Sequence, residues 1–350
     1  MLLKTPDDAL LKEIGKLSQR DRDLDAYHMA VAFAPLDRWS PSACRTASRI
    51  AASAGAPFLS LRLSARYRRQ NPNSRRARYD LAGQILRNRG AIPYIVAVRD
   101  IPEFPEHDSP SEHESCADFL SLKATALGLL RDFDAAETLF EKAVAMAPGD
   151  AWIHVCRSHF LQSRDLLDAS LEENERAFVK SKEPLYSPAT LRKADILKAL
   201  GRTEEAITLL TAFNAATQDA SGASNLYSLY TEVGRWEDAD HALDRYEELS
   251  PLLEKRGREW LASQRAYVAY HRGDRMKAMV HAESAGNAFD TEFAKRLREP
   301  EPECNRIELL VPFVSQEFKT CAPSTLMAIA RYWKVPTDQL SLVEEVCYDG

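Results

Sequence analysis

Apolar positions recur with a helical period along most of the chain, and one longer pattern repeats within it. The windows ATLRKADILKALGRTEEAITLL, SNLYSLYTEVGRWEDADHALDRYEELSP and ASQRAYVAYHRGDRMKAMVHAESA align on Gly201, Gly234 and Gly273. Five residues after each glycine stands an alanine: Ala206, Ala239 and Ala278. Seven residues before it stands Ala194 or Ala266, with Tyr227 in the middle copy. A fourth window, FLSLKATALGLLRDFDAAETLFEKAVAMAP, fits with Arg131 in the glycine slot between Ala124 and Ala136. A fifth, beginning DAWIHVCRSHF, follows the pattern loosely. Small residues on two neighbouring helices let them approach closely, and a glycine ends the first helix in a left-handed cap. Tyr230, Trp236, Leu210 and Phe140 fill the remaining gaps.

These residues resemble the tetratricopeptide repeat, a pair of antiparallel helices of about 34 residues. The three glycines lie 33 and 39 residues apart, so insertions interrupt a perfect period. The likeness implies an all-α, tetratricopeptide-like helical-hairpin solenoid over residues 117–298. In such an array the first helix of each repeat lines a concave groove suited to a protein or peptide partner. On this phasing the groove carries Arg157, Asp195, Lys198, Ser228, Tyr267, Tyr270 and His271, which a merely hydrated surface would also explain.

Residues 1–116 read as divergent helical hairpins of the same solenoid. AYHMAVAFA, PSACRTASRIAASA and RYDLAGQILRNRG carry helical spacing, and the last ends on Gly90. AIPYIVAV is a strand or a buried helix, and periodicity does not separate the two. RDIPEFPEHDSPSEHES reads as an exposed loop.

Composition narrows the class without naming a function. With 45% hydrophobic and 28% charged residues and a net charge of −6, the chain is neither collagen-like, disordered nor mucin-like. No apolar run approaches the roughly 18 residues that span a bilayer, so no membrane association is expected. The start, MLLKTPDDALLKEIGKL, is acidic and lacks an apolar signal core. Six cysteines without a CxxC pair make no disulfide framework, and a cytoplasmic location is the expectation. Oligomeric state is open.

Charge is unevenly spread. Residues 62–89 hold nine arginines against a single acid, Asp80. Arg68, Arg69, Arg75 and Arg76 are the candidate anionic-ligand patch, with Tyr67 and Tyr79 interleaved. Pairing with the acidic remainder of the chain is the competing explanation, and nucleic acid is not the expected partner. His107, His113 and Cys116, like His154, Cys156 and His159, are metal-competent but lack a paired ligand knuckle. No metal and no cofactor is expected.

The C-terminus changes character after the linker REPEPECN. IELLVPFV is strand-like, and STLMAIARYW is an apolar helix opened by Cys321, Ala322 and Pro323. Proline suits the first helical turn. A thiol there faces the positive end of the helix dipole, which favours the nucleophilic thiolate. This run resembles the papain-like, bacteriocin-processing (double-glycine leader) cysteine peptidases of bacteria, with Ala322 in place of the usual glycine. The resemblance implies that Cys321 is the nucleophile and Gln316 the oxyanion-hole donor. It implies residues 305–350 are the first strand and helix of an incomplete α+β papain-like domain. No histidine follows His281, so the 350-residue chain is expected to be an inactive fragment of a longer protein.

Three functions therefore stay in play. The solenoid presents a bound segment to a truncated peptidase-like domain, or it is a pure interaction scaffold, or it binds an anionic ligand through its arginine-rich stretch.

Overall fold

The computed structural model describes residues 3–104, 109–299, 309, 311, 312, 314 and 321–346. The described residues are helical and contain no named strand. Consecutive helices pair as antiparallel hairpins: α1 (Asp8–Gln19) with α2 (Asp23–Phe33), α3 (Cys44–Ser53) with α4 (Pro57–Gln70), and α5 (Arg75–Arg89) with α6 (Ala91–Val98). The series continues through α7 (Pro110–Leu129) with α8 (Phe133–Met146), and α9 (Ala151–Ser163) with α10 (Leu167–Ser181). Then come α11 (Ser187–Ala199) with α12 (Thr203–Ala216), α13 (Ala220–Glu232) with α14 (Trp236–Leu249), and α15 (Lys255–His271) with α16 (Arg275–Ala285). A last solenoid helix, α17 (Ala288–Arg298), packs on α16. AIPYIVAV is thus a helix, with Tyr94 and Val98 buried and Ile92 and Val96 exposed at four-residue spacing.

One turn is used again and again. Asp21, Gly55, Arg131, Asp165, Gly201, Gly234 and Gly273 all adopt positive φ, between 52° and 90°. In each case the next residue's N–H donates to the carbonyl five residues back, as Arg202 does to Leu197 at 2.8 Å and Leu166 to Leu161 at 3.1 Å. This is the Schellman closure, which satisfies a helix-end carbonyl while reversing the chain. Around it the small-residue slots are buried: Ala124 with Ala136, Ala194 with Ala206, and Ala266 with Ala278. Around Asp165 those slots hold Ser158 and Ser170, whose hydroxyls each donate to the other's carbonyl at 2.9 and 2.7 Å. Around Gly55 they hold Ser48 and Ser60, where the Ser48 hydroxyl donates to Ser60 O at 2.9 Å. A hydroxyl so satisfied behaves as a small, closely packed group.

The superhelix bends until its beginning meets its later turns. Gln218 N–H donates to Asp21 O at 2.7 Å, and Leu252 N–H donates to Ala54 O at 2.8 Å. Glu254 completes the contact by capping α4 from 195 and 196 residues away: Leu59 and Phe58 N–H donate to its carboxylate oxygens, both at 2.9 Å. An anionic side chain at a helix N-terminus satisfies free N–H groups and complements the dipole. The loops at Asp21 and Ala54 therefore pack against those at Gln218 and Leu252.

The strand and the α+β unit expected at the C-terminus are not seen among the described residues. Of IELLVPFV only Leu309, Val311, Pro312 and Val314 are described, and none lies in a strand. Pro312 cannot donate to a ladder, which disfavours a central strand there. α18 (Cys321–Tyr332) pairs instead with another helix, α19 (Gln339–Val346), through the solenoid's own turn. Lys334 is left-handed and Val335 N–H donates to Ala330 O at 2.8 Å. No α+β papain-like unit is formed by the described residues. No described helix is long and apolar enough to cross a membrane.

Candidate functional sites: an aromatic groove and an arginine-lined chamber

The predicted groove residues fall into three places. Arg157, on α9, is ion-paired with Glu137 of α8. Asp195, Lys198 and Ser228 share a small cleft between α11 and α13, where Lys198 Nζ lies 3.0 Å from Ser228 Oγ and 2.5 Å from Glu232. Burial pushes the Asp195 carboxyl up, against the attraction of Arg192 and Lys198.

Tyr267, Tyr270 and His271 converge on a cavity of about 400 Å³ between α15 and α17. His271 stacks on Trp236 at 4.0 Å, Tyr267 lies 4.4 Å from His271, and Tyr270 meets Phe293 edge-on at 5.3 Å. Ser263, Gln264, Asn287, Phe289 and Asp290 complete the lining. Phe289 is 78% exposed and Tyr267 46%, large for aromatic rings in a folded chain. Gln264 accepts the Tyr227 hydroxyl at 2.7 Å, which ties the cavity to α13. Phe289 and Phe293 were not foreseen from the sequence; their four-residue spacing on one helix face is the signal that could have found them.

The arginine-rich stretch does not form one patch. Arg68 donates to Asn71 O at 3.5 Å, and Arg69 is exposed. Arg75 lies 3.7 Å from Glu112. Arg76 turns inward, 3.2 Å from Asp80 and 3.5 Å from Asp118. There it joins Arg45, itself 2.7 Å from Asp80, on the wall of a chamber between α3, α5 and α7. This chamber of about 390 Å³ adjoins a larger one of about 1260 Å³, with Arg45, Arg76, Ser115 and Asp118 common to both. Burial pushes the Asp118 carboxyl up to about 7, reinforced by Asp150 and opposed by Arg76.

Cys116, His154 and Cys156 are buried in the packing between helices. His154 Nδ1 lies 2.7 Å from Glu173 Oε1, both side chains buried. Burial pushes the Cys156 thiol up to about 12 and His159 down to about 4, the latter helped by Arg192. Cys116 Sγ lies 3.0 Å from Glu103 O, and His107 falls outside the described residues. Among the described residues no three His, Cys, Asp or Glu side chains are grouped to hold a metal ion. Cys321 is the exposed first residue of α18, with Pro323 buried two positions on. Gln316 lies outside the described residues.

No protein-family model and no curated protein sequence matches the chain. Solved structures do match its fold. Human IFIT1 dimers, one with PPP-AAAA and one with m7Gppp-AAAA, each align with a TM-score of 0.53. They are 12% and 13% identical, cover 95% of this chain, and are themselves covered over 73% and 77%. The chain folds as a tetratricopeptide-like solenoid. PilW, a widely conserved type IV pilus biogenesis factor, aligns over 63% of this chain and 96% of its own, at 18% identity and a TM-score of 0.46. A tetratricopeptide repeat protein from Parabacteroides merdae ATCC 43184 aligns over 73% and 96%, at 12% identity and a TM-score of 0.42. At these identities the likeness concerns the fold alone.

Proposed function

We propose that this protein is an interaction scaffold whose concave face holds an extended segment of a partner protein, anchored at the α15–α17 cavity. The observation that carries the reading is the pair of rings left open to solvent there, Phe289 and Tyr267, around a space large enough for one or two side chains. Exposed rings lose water when a partner's apolar or aromatic side chain covers them, and such anchors dominate interface energetics. The charged cleft of Asp195, Lys198, Ser228 and Glu232 on the neighbouring first helices supplies polar contacts for the rest of the segment. A tetratricopeptide-like fold supports a protein partner.

Panning a displayed peptide library against the full chain tests this reading. Selected peptides should share one apolar or aromatic anchor position, and Phe289→Ala or Tyr267→Ala should weaken them by roughly tenfold or more. Enriched peptides that bind both variants as tightly as the parent would refute it.

The likeness of the run around Cys321 to bacteriocin-processing peptidases supports a finer version, in which residues 305–350 belong to a unit that acts on the bound segment. Its first requirement is an accessible thiol. Under limiting iodoacetamide at neutral pH, read by mass spectrometry, Cys321 should label well before the buried Cys44, Cys116 and Cys156. A Cys321 that lags behind them would remove the peptidase-like version and leave the scaffold.

A further inference from the structure

On the scaffold reading above, on which this rests, we infer that the partner segment carries a lysine or arginine beside its apolar anchor, and that Asp290 receives its charge. Ser263, Tyr267 and His271 follow one another at four-residue spacing on α15, so their side chains share one face of that helix. From α17, Asp290 Oδ2 accepts the Ser263 hydroxyl and the side-chain amide of Asn287. The carboxylate is thereby held about one helical turn from Tyr267, a separation of roughly 5–6 Å between side-chain origins. Phe289 precedes it in the chain and Phe293 lies three residues on, and all of these groups line the cavity.

Asp290 differs from the other deeply buried acid. Among the described residues only Glu173 and Asp290 are carboxylates buried to 3% exposure. Glu173 has Arg176 at 2.6 Å and His154 at 2.7 Å. Asp290 has two neutral donors and no ion pair with a described residue. No described lysine or arginine lines its cavity. The cations on the helices around it are engaged elsewhere: Arg265 with Asp244 and Glu247, Arg272 with Glu237 and Asp240, and Lys295 with Glu292. Asn287 caps α17 by accepting from Asp290 N–H at 3.0 Å, and the helix N-terminus offsets part of the negative charge. That arrangement uses Oδ2 and the backbone N–H. Oδ1 accepts no hydrogen bond from a described residue, although an ionised carboxylate has about four acceptor sites.

The consequence appears when the cavity is filled. A purely apolar side chain laid over Phe289 and Tyr267 would strip water from Asp290 and leave a carboxylate without a counter-charge, which is costly. A lysine or arginine avoids that cost. Its methylene stem covers apolar surface while its tip reaches the carboxylate, and aromatic faces attract a cation within about 6 Å of their centroids. An acidic or phosphorylated residue is disfavoured there by the same charge.

The test pans one displayed peptide library in parallel against the parent chain and Asp290→Asn. Peptides from the parent should share a lysine or arginine at a fixed offset from the apolar anchor. Those from Asp290→Asn should keep the anchor and lose the basic position. In one parent-selected peptide, replacing the basic residue by norleucine should weaken binding to the parent by roughly tenfold or more. The norleucine peptide should bind parent and Asp290→Asn alike, which also shows that the variant's cavity is folded. A peptide with the basic residue moved to its far end should bind the parent no better than the norleucine peptide, which excludes general attraction to a chain of net charge −6. If Asp290→Asn does not fold, the three peptides on the parent decide alone. Selected peptides that depend on Phe289 but show no basic preference, or equal binding of the basic and norleucine peptides, would overturn this inference and leave the scaffold standing. Peptides indifferent to Phe289→Ala would remove both.

Discussion

Phe213→Ala is expected to lower the stability of the solenoid by about 3–5 kcal/mol, the range for deleting a fully buried aromatic ring. Phe213, on α12, is fully buried and sits where the next hairpin begins. Its ring occupies space that Gly222 of α13 leaves open: a Cβ on that glycine would lie 2.8 Å from Phe213 Cδ1. Ring and glycine are therefore one packing unit at the seam between two hairpins. Because each repeat is stabilised by its neighbours, a cavity at one seam weakens the array on both sides of it. Gly222→Ala alone should also destabilise, by overpacking the ring, at about 1–3 kcal/mol. Combined with Phe213→Ala it should cost less than the two changes added, since the methyl then enters the vacated space. Urea midpoints of the four proteins measure this cycle. Strict additivity would mean that the glycine and the ring are not one packing unit.

The same seam shows what the sequence makes legible. Where the small-residue slots hold alanine and the turn holds glycine, the repeats are visible by eye, and the frame over 117–298 follows. Where serine replaces alanine, as at Ser48 with Ser60 and Ser158 with Ser170, the pattern disappears although the geometry is unchanged. Left-handed Asp21 and Asp165 hide their turns for the same reason: aspartate tolerates that conformation but does not announce it. The closure of the superhelix leaves still less trace. It rests on backbone groups of Asp21, Ala54 and Leu252 and on the side chains of Glu254 and Gln218, the latter accepting from Asp25 N–H, and backbone groups carry no residue signature.

The candidate sites divide along similar lines. Tyr267, Tyr270 and His271 follow from helix phase alone, because they lie on the first helix of a clear repeat. Phe289 and Phe293 belong to α17, which has no alanine–glycine frame to phase it. The run of arginines is conspicuous in the sequence, yet which of them face inward depends on how α4 and α5 turn against α3. Arg49, outside the run, enters the chamber, while Arg69, within it, stays outside.

Raising the pH from about 5 to 8 is expected to destabilise the protein, the reverse of the common behaviour of carboxylate-rich folds. In the folded chain Asp118 titrates near 7, because it is buried and faces Asp150, whereas in an unfolded chain it titrates near the ordinary aspartate value of about 3.9. Between those values the folded state holds a proton that the unfolded state has released. Stability then falls as pH rises through this interval, and the loss is complete above it. Asp23, raised to about 6 by burial and by Asp219 and Asp21, contributes with the same sign. Glu173 works the other way. Burial would raise it, but the hydrogen bond with His154 and the charges of Arg157 and Arg176 prevail and hold it low, so its stabilisation is lost only as pH falls below the usual carboxylate range. His159, pushed down to about 4 by burial, also opposes the trend, because its stabilisation grows as pH rises from about 4 to the ordinary histidine value of about 6.5. Asp118 and Asp23 together outweigh it, and urea midpoints should peak on the acid side of neutrality. Asp118→Asn, which removes the ionised state while keeping the shape, should raise the midpoint at pH 8 and flatten the decline between pH 5 and 8. A parent midpoint that climbs from pH 5 to 8, or a variant that declines as steeply, would sink this account of Asp118.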